Sequence, residues 1–168
     1  MFENRQYYRL PLNRKFVVGK ADGVFAGTCV NVSSGGAFIN LLDVSAFKQN
    51  DKCQCVFSVR ADTDPITMEG VIKRVVAPSP NPENTAGIAV QFEEGEEVLK
   101  ELRTNVEEMR HQFELVSTIL EHGEPEIRTL QPILEKLNLR PFMDMGELHQ
   151  YVERILQSVE IVEKKERS

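Results

Sequence analysis

The chain has 168 residues, 20 Lys and Arg against 26 Asp and Glu, and a formal net charge of −6; that is enough length for one domain with its own core, and too acidic a total for a general nucleic-acid binder. Its three cysteines, Cys29, Cys53 and Cys55, make no even disulfide set and have no further Cys or His at ligand spacing, so buried thiols in a reducing, cytoplasmic setting are expected rather than disulfides or a metal site. Apolar runs are no longer than strands and the N-terminus lacks a basic-then-apolar layout, so neither helical membrane insertion nor a secretory signal is expected.

The first informative stretch is "RQYYR", residues 5–9. Arg5 and Arg9 would share a face of a helix, but "LP" follows at once, and a residue before proline is biased away from helix. The stretch therefore reads as a short extended or loosely turned arm carrying two fixed charges. Positions 1–20 hold Arg5, Arg9, Arg14, Lys15 and Lys20 against Glu3 alone. A local basic arm on an acidic chain suits a small anion.

The chain then alternates with strand period. "VFAGTCV" ends in "NVSSGGAFI", where Asn31 and Ser33 offer short polar side chains, and Gly35 or Gly36 is expected to turn through positive φ and bring backbone N–H groups near a bound group. "CQCVFSV" places Cys53, Cys55, Phe57 and Val59 on one face. "ITMEGVIKRVVA" and "GIAVQF" follow, with turn signals at "ADG", "QND", "ADTDP" and "PSPNPEN" between the runs. Short strands at this spacing point to a small antiparallel barrel or sandwich.

After "EEGEE" the period changes. Leu99, Leu102, Val106, Met109, Phe113, Val116 and Leu120 form a heptad seam that should end near Gly123 and Pro125. Ile127, Leu130, Leu134 and Leu137 repeat the spacing, as do Leu148, Val152, Ile155, Val159 and Val162. The glutamates of 93–101 read as a first helical turn, favoured by the positive end of the dipole. These stripes must pack on each other, on the strands, or on another copy of the chain. The charge divides likewise: residues 1–93 hold 10 basic and 9 acidic side chains, residues 94–168 hold 10 and 17. The expected division is a β domain over 1–93 and a helical extension over 94–168. His111, His122 and His149 are scattered through the second part with no Ser/His/Asp or Cys/His set and no nucleotide-loop fingerprint, so no catalytic residue is expected.

An R-x-x-x-R arm, followed by N-x-S-x-x-G at the end of a strand and a closing "AGIAVQF", resembles the PilZ domain family, bacterial receptors for the second messenger cyclic di-GMP. The resemblance covers residues 3 to about 93, does not extend to the helical half, and implies a six-stranded antiparallel β-barrel; with the segment of about three α-helices read from the apolar stripes, an α+β chain is expected. It further implies that Arg5 and Arg9 contact phosphates and guanine, that Asn31 and Ser33 hydrogen-bond the ligand, and that Gly36 keeps the turn free of a Cβ. Arg74, at the end of "GVIKR", stands where the family often contacts the ligand. Asn31 stands where many members have Asp; an amide still accepts and donates but lacks the charge. The function implied is non-catalytic reception of cyclic di-GMP, passed to a protein partner that serves motility, attachment, exopolysaccharide or development, with a homo-oligomer through the helices as a further expectation. The alternative is a PilZ-fold scaffold with weak or no nucleotide binding that acts through its helices.

Overall fold

Period-2 burial drives the first half of the molecule into strands. In the computed structural model, which describes residues 7–60, 63–81, 85–93, 95–122, 127–137, 139 and 144–167, these are β1 (Leu10–Lys20), β2 (Gly23–Val32), β3 (Gly36–Asn40), β4 (Lys52–Phe57), β5 (Ile66–Val76) and β6 (Gly87–Phe92). They close into a barrel in the order β1-β2-β3-β6-β5-β4, with every pairing antiparallel. The choice between barrel and sandwich is thus settled for the barrel. Cys53, Cys55 and Phe57 point inward from β4, where Phe57 stacks between Phe16 and Phe92 with ring centroids 4.5 and 5.6 Å away. The three thiols are free and buried.

Three irregularities shape the wall. β1 shifts register between Pro11 and Arg14, where Asn13 takes φ 51°, a left-handed conformation that asparagine tolerates. The β2–β3 ladder shifts between Cys29 and Asn31. The β5–β6 ladder shifts between Ile72 and Arg74.

The second half forms α1 (Glu96–Glu121), α2 (Ile127–Lys136) and α3 (Met145–Arg167). Glu96 and Glu97 occupy the first turn of α1, whose N-cap is Gly95. Leu102, Val106, Met109, Phe113 and Val116 of the seam are buried in one apolar cluster that also contains the barrel interior, Leu130 and Leu134 of α2, and Leu148, Val152 and Val159 of α3. The seam is spent within this chain, because α1 lies against β1 and β5 on one side and α3 on the other. Polar pins reinforce the docking: Arg60, from the β4–β5 connection, pairs with Glu108 at 2.6 Å, and Arg110 of α1 pairs with Glu163 of α3. Among the described residues no helix is long and apolar enough to cross a membrane.

Candidate ligand cavity

The β2–β3 hairpin turns through Ser34 and Gly35, and its geometry is fixed by one side chain. Ser33 is 5% exposed. Its hydroxyl accepts hydrogen bonds from the Gly35 and Gly36 N–H groups at 3.1 and 3.0 Å and donates to the Gly36 carbonyl at 3.2 Å. One donor and two acceptor sites are all a hydroxyl has. Ser33 is therefore the clamp of the turn, with no capacity left over in this arrangement. The Ser33 N–H also donates to the Gly36 carbonyl at 2.8 Å, and the Phe92 N–H to the Gly35 carbonyl at 2.9 Å, which ties the turn to β6.

The expectation of positive φ at Gly35 or Gly36 is corrected: among the described residues no glycine has it. What requires glycine is space. A Cβ on Gly36 would lie 2.3 Å from the Val90 carbonyl oxygen of β6, and one on Gly35 would lie 2.6 Å from the ring of Tyr7. The arm is thus laid directly on the turn, with Tyr7 half-exposed over the Gly35 backbone.

Together these parts line an open cavity of about 360 Å³. Tyr7 and Arg9 come from the arm, Ser33 to Gly36 from the turn, Ala89 to Phe92 from β6, Lys73 from β5, and Leu99 from α1. Of the residues singled out in the sequence, Arg9, Ser33 and Gly36 meet here. Arg5 lies outside the described residues. Arg74 is exposed on β5 and is not in the cavity lining; its neighbour Lys73 is. Asn31 is not in the lining either. It sits at the β2–β3 irregularity, opposite Phe38 and, on the other side, opposite Pro11, which has no N–H to give. Its Oδ1 is buried with no hydrogen-bond partner among the described residues, an arrangement that costs free energy unless a donor is supplied.

Sequence reasoning missed Lys73, Gln91 and Leu99. The first two sit on strands next to residues it did consider, and only the bulge at Lys73 reveals which side each takes. Leu99 was read as core seam, yet it also forms part of the cavity wall. Tyr8 is held by α1. Its hydroxyl donates to the Glu107 carboxylate across 99 positions of sequence, and the Arg110 guanidinium lies 5.6 Å from its ring centroid. Burial and the Glu107 carboxylate push the Tyr8 hydroxyl far above its ordinary range, so it stays a neutral donor. Arg110 in turn bridges Glu114 at 3.0 Å and Glu163. Three consecutive arm residues therefore have three attachments: Tyr7 to the turn, Tyr8 to α1, Arg9 to the cavity.

Elsewhere, Glu121, His149 and Glu153 bring possible ligand atoms within 4.8 Å of one another. His149 Nε2 is 3.0 Å from Glu153 Oε1, an i,i+4 pair on one helix with side chains 37% and 46% exposed. An i,i+4 side-chain pairing on one helix accounts for that arrangement.

Residues 3–108 match the PilZ domain family. The chain belongs to the PilZ domain family. The match runs past residue 93, where the sequence resemblance was read as ending, and takes in Leu99 and Glu107 of α1. No curated protein is similar enough in sequence to match. Among solved structures, the PilZ chain is similar to the Bacillus subtilis inhibitor of motility MotI/DgrA, with 19% identity, a TM-score of 0.50, and coverage of 61% of this chain and 49% of that one. It is also similar to YcgR from Escherichia coli, determined in complex with cyclic di-GMP, with 13% identity, a TM-score of 0.53, and coverage of 66% and 47%. The likeness is one of fold, and the matched part spans about half the length of each of those proteins.

Proposed function

We propose that this PilZ chain is a non-catalytic receptor for cyclic di-GMP that passes occupancy of its cavity to its own helices and from there to a protein partner. The observation that carries the reading is the convergence of both motif segments, Arg9 of the arm and Ser33 to Gly36 of the turn, on one open cavity. Cyclic di-GMP carries two phosphates and two flat purines. A guanidinium serves both, pairing with phosphate oxygens or the guanine O6 and N7 through its fork and stacking through its face. In this reading Arg9, with Arg5 ahead of it, grips the ligand, while Ser33 holds the glycine turn as its floor. The buried Oδ1 of Asn31 is an acceptor awaiting a donor from the arm or a base.

The coupling follows from Tyr8. A ligand that enters between arm and turn displaces Tyr7 from Gly35 and presses on Leu99. Because the next residue is tied to Glu107, movement of the arm is transmitted to α1, and through Arg110 and Glu163 to α3. A ligand shifts such an equilibrium only by its differential affinity for the two arrangements. The arm's attachment to α1 supplies a structural basis for that difference.

Calorimetric titration of the full chain with cyclic di-GMP, with GTP and cyclic di-AMP as controls, tests the receptor reading. Truncating one partner of a buried charged contact costs about 2–5 kcal/mol, so Arg9→Ala and Arg5→Ala should each weaken binding at least about tenfold. Absence of saturable binding to the wild type would overturn it in favour of a PilZ scaffold acting through its helices.

A further inference from the structure

The cavity has a second cation that the family motif does not point to. We infer that Lys73, and not Arg74, is the strand-borne charge that meets the ligand's phosphate; the inference rests on the receptor reading above. β5 and β6 run in register through Ile72 and Val90, then resume at Arg74 and Ala89, so Lys73 is the extra residue of a bulge. A bulge leaves its extra residue out of the ladder and re-aims its side chain. Ile72 is fully buried while Lys73 and Arg74 are both exposed, so the in–out alternation breaks at this step. Two consecutive long cations thus emerge on the outer surface from one point of the strand. Lys73 is in the wall of the cavity with Tyr7, Arg9 and Gln91, and Arg74 is outside it.

Several other cations near the barrel are already engaged. Lys20 is paired with Asp51 at 2.9 Å, Arg60 with Glu108 at 2.6 Å, and Arg110 with Glu114 at 3.0 Å and with Glu163. Lys73 has no hydrogen bond or ion pair among the described residues. An ammonium on a flexible stem is a point charge that can follow a phosphate oxygen without the fixed plane a guanidinium demands. Arg9 reaches the cavity from the arm and Lys73 from the wall, two cations for a ligand with two phosphate charges. Lys73 is carried by the barrel wall and not by the arm, so it forms an electrostatic landmark for an incoming dianion wherever the arm lies.

The test compares three variants of the full chain by calorimetric titration with cyclic di-GMP at low and physiological salt. Both positions are exposed, so thermal melts of all variants should superimpose on the wild type. Lys73→Gln should weaken binding about three- to tenfold, in the range of a solvent-accessible ion pair strengthened by partial desolvation. Its affinity should also depend less on salt. Lys73→Arg should restore most of the loss, and Arg74→Gln should bind as the wild type does. Wild-type affinity in Lys73→Gln, or an equal loss in Arg74→Gln, would overturn the assignment while leaving the receptor reading intact. A wild type that does not bind would remove both, and the two failures are thereby distinguishable.

Discussion

Adding one methyl group at Gly36 tests whether the motif glycine is there for space. The added Cβ would sit 2.3 Å from the Val90 carbonyl oxygen, and real Cβ contacts essentially never fall below 3.0 Å, so β3 and β6 must part by at least about 0.7 Å, the difference between the two. Backbone is the obstacle on both sides, and no side chain can rotate out of the way. The neighbouring ladder, Gly36 with Gln91 and Ala37 with Val90, stretches with it, as does the bond from the Phe92 N–H to the Gly35 carbonyl. Overpacking of this kind costs about 1–3 kcal/mol, and a weakened backbone hydrogen bond about 1 kcal/mol more. Gly36→Ala should therefore lose about 2–4 kcal/mol, or roughly 5–15 °C in Tm for a chain of this size. The matched control is Gly95→Ala, where nothing lies within 4 Å of the new methyl and loss of the N-cap glycine costs only about 0.5 kcal/mol. Urea denaturation of the two variants and the wild type, with m-values compared to check that the transition is unchanged, reads the difference. A Gly36→Ala variant as stable as Gly95→Ala would refute the steric account. Because the turn lines the cavity, the same variant should also bind cyclic di-GMP more weakly.

Tyr8→Phe keeps the ring beneath Arg110 and removes only the hydroxyl that donates to Glu107; since the Glu107 side chain is 42% exposed and can be rehydrated, stability should fall by only about 1 kcal/mol. The larger effect is expected in hydrogen exchange, where ligand-induced change in α1 should diminish although binding persists; undiminished change in α1 would remove Tyr8 from the coupling. Phe113 is fully buried between barrel and helices, so Phe113→Ala should cost about 3–5 kcal/mol in urea, and a loss below about 1 kcal/mol would show that the seam is not packed as described. Burial pushes the Cys29 thiol from 9.0 up to about 12, and Tyr8 is likewise raised. The folded state holds these protons more tightly than the unfolded chain, so the stabilisation is complete below pH 9 and falls as pH rises toward 12, by up to about 1.4 kcal/mol per pH unit for one such group. The Cys55 thiol is raised as well, by its contact with Cys53 and by burial, so Cys29→Ala should reduce without abolishing the slope of the alkaline limb of a stability–pH curve between pH 9 and 10, and an unchanged limb would count against the Cys29 thiol.

Much of the barrel was legible because strand alternation is a local signal. Cys53, Cys55 and Phe57 fall two apart and all face inward, and the turns coincide with the Gly, Asn, Asp and Pro clusters. β1 was the strand least visible in the sequence, since "LPLNRKFVVGK" opens with a proline and breaks its period at Asn13. The bulge at Lys73 escaped for a related reason: one extra residue reverses which side chain faces a surface, and nothing in "GVIKRV" announces it. Gly36 was legible as a residue but not as a reason, because the atom that forbids a Cβ belongs to Val90, on a strand more than fifty residues later. Tyr8 and Glu107 illustrate the same limit over 99 positions. The helical seam was read correctly as a burial face. Its partner was not deducible, because a heptad stripe looks the same whether it meets a barrel or a second chain.

The strand order β1-β2-β3-β6-β5-β4 returns upon itself through the β1–β4 pairing. The closing seam pairs Phe16–Gly19 of β1 with Gln54–Phe57 of β4, so among the described residues a partner strand finds no free edge strand along its whole length. A partner of the kind proposed would then be met chiefly by side chains. The outward surfaces of α1 and α3, where Leu115 and Ile161 remain 44% and 54% exposed, are the ones mechanically joined to the arm. Under the proposed receptor reading the barrel would receive the ligand and these helix faces would present its occupancy, a division of labour that closure of the sheet favours.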